Sequence, residues 1–176
     1  DDFNGPGLDP AWRNFLGPVR YDLAGGQFNV RGFGGGGPAV GSIFRDAGDL
    51  SFEFDFRTRV SFGNGPDGAL QFDIGNLRWR LVNQGGFFRI IAGNLNPTIF
   101  FLSPGTREFR AVGDNGAWWF YVDGAPIVVN QPIPLDRVYV DVGFVGVPNT
   151  TTQFFPCSID YMEIMPVPGP GSCLVL

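Results

Sequence analysis

Between residues 50 and 60 the chain reads Leu-Ser-Phe-Glu-Phe-Asp-Phe-Arg-Thr-Arg-Val. Phe52, Phe54 and Phe56 fall on one side of an extended backbone, and Ser51, Glu53, Asp55, Arg57 and Arg59 fall on the other. Each buried Phe contributes roughly 1.5–3 kcal/mol, which only a second apolar layer packed on this strand's sheet can supply. The pattern recurs. Leu70, Phe72 and Ile74 oppose Ala69, Gln71 and Asp73; Leu77, Trp79 and Leu81 oppose Arg78 and Arg80; Val138, Val140, Val142 and Phe144 oppose Arg137, Tyr139, Asp141 and Gly143. Less regular runs at 28–33, 87–92, 98–102, 107–112 and 157–165 raise the expected number of strands to ten or more. The 27 Gly and 15 Pro lie between these runs, as turns joining many short strands require. One short helical turn is expected at 8–15, with Asp9 as cap and Pro10 in first position. The sequence therefore predicts an all-β fold, an antiparallel two-sheet β-sandwich over residues 1–165. Phe52, Phe54, Phe56, Leu70, Phe72, Trp79, Val140 and Val142 are expected inside it, and a Pro/Gly-rich apolar tail follows at 166–176.

The chain has no His, and all 12 of its cationic side chains are Arg. That removes Ser-His-Asp triads, imidazole metal sites, Schiff-base lysines and P-loop lysines. Arginine holds its proton at every relevant pH, so it can fix anions and carboxylates but cannot shuttle protons. A net charge of −5 without a basic cluster argues against a nucleic-acid partner. The Gly32-Phe33-Gly34-Gly35-Gly36-Gly37-Pro38 run has no following Lys or helix and reads as a loop, not a phosphate cradle. No stretch is long and apolar enough for a transmembrane span.

Residues 117–127, Ala-Trp-Trp-Phe-Tyr-Val-Asp-Gly-Ala-Pro-Ile, describe a strand, an Asp-Gly turn and a return strand. This hairpin resembles the late hairpin of the concanavalin A-like lectin and glucanase superfamily. Asp2-Phe3-Asn4-Gly5 with Leu8-Asp9-Pro10-Ala11-Trp12 is similar to the opening of bacterial members, and Ile159-Asp160-Tyr161-Met162-Glu163-Ile164 to their closing strand. The resemblance spans nearly the whole chain and implies a concanavalin A-like jelly roll. It also implies places to look for chemistry. Glycoside hydrolases of the superfamily carry Glu-x-Asp-x-x-Glu on one strand; Glu53 and Asp55 match its first two carboxylates, but position 58 is Thr. Arg57 and Arg59 would moreover keep neighbouring carboxylates ionised, contrary to the needs of a general acid. Asp67-Gly68-Ala69-Leu70-Gln71-Phe72 resembles a lectin sugar-site element, which makes Asp67 a candidate acceptor for sugar hydroxyls; a plain turn before the next strand is the other reading. Members often carry a structural calcium, for which Asp46 and Asp49 are the candidate ligands; no other cofactor is expected. Trp119 and Tyr121 alternate with Trp118 and Phe120 and so leave the core face. They are candidates for stacking on a glycan or for packing on another protein.

Residues 167–172, Val-Pro-Gly-Pro-Gly-Ser, followed by Cys173-Leu174-Val175-Leu176, resemble the start of the PEP-CTERM class of bacterial sorting signals. Gly169 stands where that class has Glu, and the apolar run is four residues long. A plain Pro/Gly tail is the alternative; a C-a-a-X prenylation box is disfavoured because no polybasic segment precedes it. Cys157 and Cys173 are the only cysteines, and a bond between them would close a loop of about 16 residues and contribute about 3 kcal/mol. Buried free thiols are the competing reading. Asn149, Thr150, Thr151 and Thr152 form a polar loop containing a sequon, a candidate glycosylation site.

These readings lead to a secreted or cell-surface protein, bacterial by the resemblance of its tail. The leading expectation is a non-catalytic structural or adhesive building block. It would form a homo-oligomer or filament through Pro168, Cys173, Leu174, Val175 and Leu176. The alternative is a lectin-like module that holds an extracellular glycan with Asp67 and Trp119 or Tyr121; a glycoside hydrolase ranks third.

Overall fold

The computed structural model describes residues 2–7, 9–11, 13–14, 19–33, 40–46, 53–74, 77–93, 98–114, 116–132, 139–146 and 156–166. At 13–14, 19–20, 30–33, 40–46, 129–132, 139–146 and 166 only the backbone is described. The sandwich expected from the sequence is present. Sheet I runs, in spatial order, β1 (Arg13–Asn14), β4 (Val40–Asp46), β13 (Tyr139–Gly146), β6 (Gly68–Ile74), β7 (Leu77–Gln84), β8 (Phe87–Ala92) and β9 (Thr98–Leu102). Sheet II runs β12 (Ala125–Pro132), β11 (Ala117–Val122), β10 (Gly105–Asp114), β5 (Phe54–Phe62), β14 (Cys157–Pro166), β3 (Gln27–Phe33) and β2 (Val19–Ala24). Every strand pair is antiparallel.

The opening Phe strand takes the centre of sheet II, between β10 and β14. Its Phe54, Phe56, Val60 and Phe62 point inward and are buried against Leu70, Phe72, Trp79 and Leu81 of sheet I. Trp79 is the hub. Its ring stacks on Phe72 at 5.4 Å, meets Phe56 edge-on at 5.3 Å and lies 5.3 Å from Phe120. Aromatic pairs in these geometries add about 0.5–1.5 kcal/mol each beyond their burial. Of the expected core residues, Phe54, Phe56, Leu70, Phe72 and Trp79 are buried. Phe52 and the side chains of Val140 and Val142 lie outside the described residues.

The Asp-Gly hairpin forms as read. Asp123 and Gly124 both take positive φ, 49° and 79°, which the right-handed twist of β11 and β12 demands of a two-residue turn. Asp123 is fixed further: its Oδ1 accepts the Glu108 backbone N–H at 2.9 Å and its Oδ2 pairs with Arg107 at 2.9 Å.

Two expectations are corrected. The helical turn expected at 8–15 does not extend to Arg13: Pro10 and Ala11 form a turn in which Asp9 accepts the Ala11 N–H through Oδ1 at 2.9 Å, but Arg13 and Asn14 already belong to β1 and pair with Phe44 and Ile43. Pairing with a sheet edge satisfies more backbone groups than one isolated turn could. The Cys157–Cys173 bond is also absent, because Cys157 is a free thiol buried on the inner face of β14 and aimed at the core. Cys173, the tail at 167–176 and the Asn149–Thr152 loop lie outside the described residues, as do Asp49 and the Asp46 side chain.

Candidate functional site

The outer face of sheet II gathers the largest set of polar and aromatic side chains among the described residues. Alternation on β5 sends Asp55, Arg57, Arg59 and Ser61 outward, as the sequence implies. In register beside them on β10 are Val112 next to Asp55, Arg110 next to Arg57, Glu108 next to Arg59 and Thr106 next to Ser61. One strand further, Trp119 lies beside Val112 and Tyr121 beside Arg110. On the opposite flank β14 contributes Tyr161 beside Arg59, Glu163 beside Arg57 and Met165 beside Asp55.

That last alignment depends on a β-bulge. Ile159 pairs with Val60 and Tyr161 with Arg59, leaving Asp160 as the extra residue. The insertion reverses which residues of β14 face out, so Met162 is buried while Tyr161, Glu163 and Met165 reach the surface. Inward-facing Thr58, fully buried, donates from Oγ1 to the Tyr161 carbonyl at 2.8 Å and so ties β5 to the bulged stretch of β14. Asp160 is drawn to Arg59 at 3.3 Å.

Asp55 is the centre of the face. Its Oδ1 accepts from Arg57 Nε at 3.2 Å and from Arg110 Nε at 2.8 Å; its Oδ2 accepts from Arg57 Nη2 at 2.8 Å and from Arg110 Nη2 at 2.7 Å. Two bidentate guanidinium pairs fill the roughly four lone-pair directions of one carboxylate. Burial pushes the Asp55 carboxyl up, but the hydrogen bonds and charges of Arg110 and Arg57 outweigh it and hold the group below the usual carboxylate range. Asp55 is thus ionised at neutral pH and its acceptor directions are saturated, which leaves it unsuited to act as a general acid or to receive a further hydroxyl. It thereby fixes two arginines whose side chains are 37% and 38% exposed on this face. Arg110 also lies over the Tyr121 ring, 5.6 Å from its centroid.

A second cluster adjoins the first. Tyr161 donates its hydroxyl to Glu108 Oε2 at 3.0 Å, and Arg59 sits over the Tyr161 ring at 5.4 Å. Burial, helped by the Glu108 carboxylate, raises the Tyr161 phenol above its ordinary range. Ser61 and Thr106 hydroxyls meet at 2.8 Å, at one end of a cleft of about 340 Å³ that Asn29 and Ser158 also line.

Three sequence candidates are therefore not brought together. Trp119 and Tyr121 share the outer face of sheet II, whereas Asp67 immediately precedes β6 in sheet I, with the core between. Asp67 is moreover engaged, because its Oδ1 accepts the Gly85 N–H of the β7–β8 turn at 2.7 Å. The reading of Asp67 as a turn residue fits that geometry, and Asp67 does not share a face with Trp119 and Tyr121. Sequence reasoning found Asp55, Arg57 and Arg59 but missed Arg110, Glu108 and Tyr161. Their partners lie on other strands, 55 residues away for Asp55 and Arg110 and 53 for Glu108 and Tyr161. Among the described residues no group of three metal-ligating side chains occurs, and no helix is long and apolar enough to cross a membrane.

By sequence, no protein family and no curated protein matches the chain. By structure, many solved proteins do. The carbohydrate recognition domain of Emp47p superposes with a TM-score of 0.69 at 13% identity, covering 96% of this chain and 94% of its own. The catalytic domain of an endo-1,3-β-glucanase (laminarinase) from Thermotoga petrophila gives 0.67 at 14% identity, with 93% and 94% covered. A GlcNAcα1-4Gal-releasing endo-β-galactosidase from Clostridium perfringens gives 0.67 at 16% identity, with 93% of this chain but 61% of that one covered. The expectation of a non-catalytic chain is corrected by these likenesses: glycoside hydrolases are built on this architecture, so the fold is one that hosts glycan cleavage as well as glycan binding. The shared fold is that of the concanavalin A-like lectins and glucanases.

Proposed function

We propose that this chain is an exported carbohydrate-binding protein and that it holds its glycan on the outer face of sheet II. One observation carries the reading: Trp119 and Tyr121 project from β11 onto this face, Tyr121 directly beside the Asp55-anchored Arg110 and Trp119 one pair further along, beside Val112. A half-buried indole offers a flat apolar surface to a sugar ring, and adjacent guanidinium N–H groups offer fixed donors to its hydroxyl oxygens. Anchoring by Asp55 removes the side-chain entropy that a free arginine would lose on binding. Arginines and carboxylates alternate on this face, which favours a neutral glycan over a densely anionic one. The Emp47p domain and the glycanases, which act on or recognise carbohydrate on the same fold, support the substrate class.

The test is a glycan array probed with the purified 176-residue chain, followed by titration calorimetry on the strongest hit and an assay for released reducing ends on the same glycan. Trp119→Ala is expected to weaken binding about tenfold or more with the melting temperature little changed. An array with no hit and no released product, or binding indifferent to Trp119→Ala and Arg110→Ala, would remove this face from consideration.

A further inference from the structure

Each open sheet ends in two edge strands, and an edge exposes a row of unpaired N–H and C=O groups that can template another chain. Three of the four edges here carry devices against such pairing. β1 is two residues long; β12 contains Pro126 and Pro132; β2 contains Arg20 and Asp22 and has a register shift at Arg20/Tyr21. The fourth edge, β9, has none of them. Its sequence is Thr98-Ile99-Phe100-Phe101-Leu102, without charge, proline or bulge, and among the described residues it pairs with β8 alone. Ile99, Phe100 and Phe101 are 51%, 42% and 68% exposed, half of the six large hydrophobic side chains exposed in the described structure. Ile99 and Phe101 lie in register with Ile91 and Arg89 on the outer face of sheet I, while Phe100 lies beside inward-facing Ile90. Both faces of the strand are therefore apolar at the rim.

We propose that β9 is a dimerisation edge and that its occupant is β9 of a second copy, paired antiparallel about a two-fold axis through Phe100. The segment suits itself. In this register Phe100 faces Phe100 of the other copy, Ile99 faces Phe101, and Thr98 faces Leu102. The Ile99–Phe101 pair occurs twice, an aromatic against a β-branched side chain, among the favourable cross-strand combinations. On the outer face the row from Arg89 through Phe101 continues into Ile99 and Ile91 of the second copy, so an apolar band crosses the axis. No like charges meet, because the five residues carry no charge. A glycan would find no polar side chain on Ile99, Phe100 or Phe101 to bind, which separates this edge from the face of sheet II. Because the pairing is isologous, it uses the open edge of each copy and closes at two, giving a dimer and not a filament.

The register can be tested by introducing opposite charges across the axis. The full chain is expected to sediment as a dimer at micromolar concentration. Ile99→Lys and Phe101→Glu, each at a solvent-exposed position, are expected to raise the dimer dissociation constant about tenfold or more while leaving the far-ultraviolet dichroism and melting temperature near those of the parent. Combining the two substitutions sets the introduced ammonium of one copy opposite the introduced carboxylate of the other, on both sides of the axis, and is expected to recover dimerisation. A chain that stays monomeric at high concentration overturns the proposal. So does a dimer unaffected by either single change. Failure of the double variant to recover, while both single variants stay folded, overturns the antiparallel register about Phe100.

Discussion

Cys157 illustrates how far one residue's surroundings decide its chemistry. On the inner face of β14 it is enclosed by the apolar core, and burial drives its thiol well above the ordinary range. A thiol kept protonated is a poor nucleophile and a poor disulfide partner. In a Cys173→Ser background, which leaves Cys157 as the sole thiol, a thiol-specific reagent is expected to label nothing in native buffer and one group per chain after denaturation. Rapid native labelling would show that the inner face of β14 opens readily. The sequence offered a bond between the two cysteines, but it did not show which face of β14 Cys157 would occupy. The bulge at Asp160 blurs that choice, since Cys157 and Ile159 face inward before it and Met162 after it.

At the scale of elements, strands with strict alternation were legible and the others were not. β5, β6 and β7 alternate apolar with polar residues, so their faces could be assigned in advance; β9 was bounded correctly from its apolar run alone. β4 reads Val-Gly-Ser-Ile-Phe-Arg-Asp and β2 reads Val-Arg-Tyr-Asp-Leu-Ala, neither with a clear period of two, and both were missed. β14 was found, but its faces were not, because a bulge changes parity without leaving a periodic trace. The bulge is held by Thr58, whose buried hydroxyl is the described partner of the Tyr161 carbonyl. Thr58→Val keeps the side-chain shape and deletes that bond. It is expected to lower stability by about 1–3 kcal/mol, the cost of an unsatisfied buried acceptor, measured as a lower denaturation midpoint. Because Tyr161 is positioned by the same bulge, its ring signals in aromatic NMR are expected to shift, while those of Trp79 in the opposite sheet stay in place. A midpoint unchanged from the parent would mean that water or a shifted backbone replaces the hydroxyl.

For the whole molecule, the division of labour follows from the two-layer architecture. The space between the sheets is filled by aromatic and aliphatic side chains, so binding chemistry is left to outer faces and edges. The outer face of sheet II is also where charge ties the central strands together, with Asp55 joining β5 to β10 and Arg59 and Glu108 drawing in β14. This makes the pH dependence of stability predictable in sign. The Asp55 carboxyl has a lower pKa in the folded protein than the ordinary value of 3.8 that it regains on unfolding. Its contribution is therefore present in full above about pH 4 and is lost as the pH falls through the depressed folded value. At pH 7, Asp55→Asn is expected to be less stable than the parent by about 1–2 kcal/mol, the low end for charge-assisted bonds because Arg57 and Arg110 stay partly hydrated. Below about pH 4 the two proteins should converge, since the parent then loses what the variant never had. Urea unfolding of both at pH 7, 5, 4 and 3 measures the difference directly, other carboxylates cancelling between the two curves. A difference that stays constant down to pH 3 would show that the Asp55 pair does not hold its ionised form, and with it the argument that Arg110 is pre-oriented for a glycan would fall.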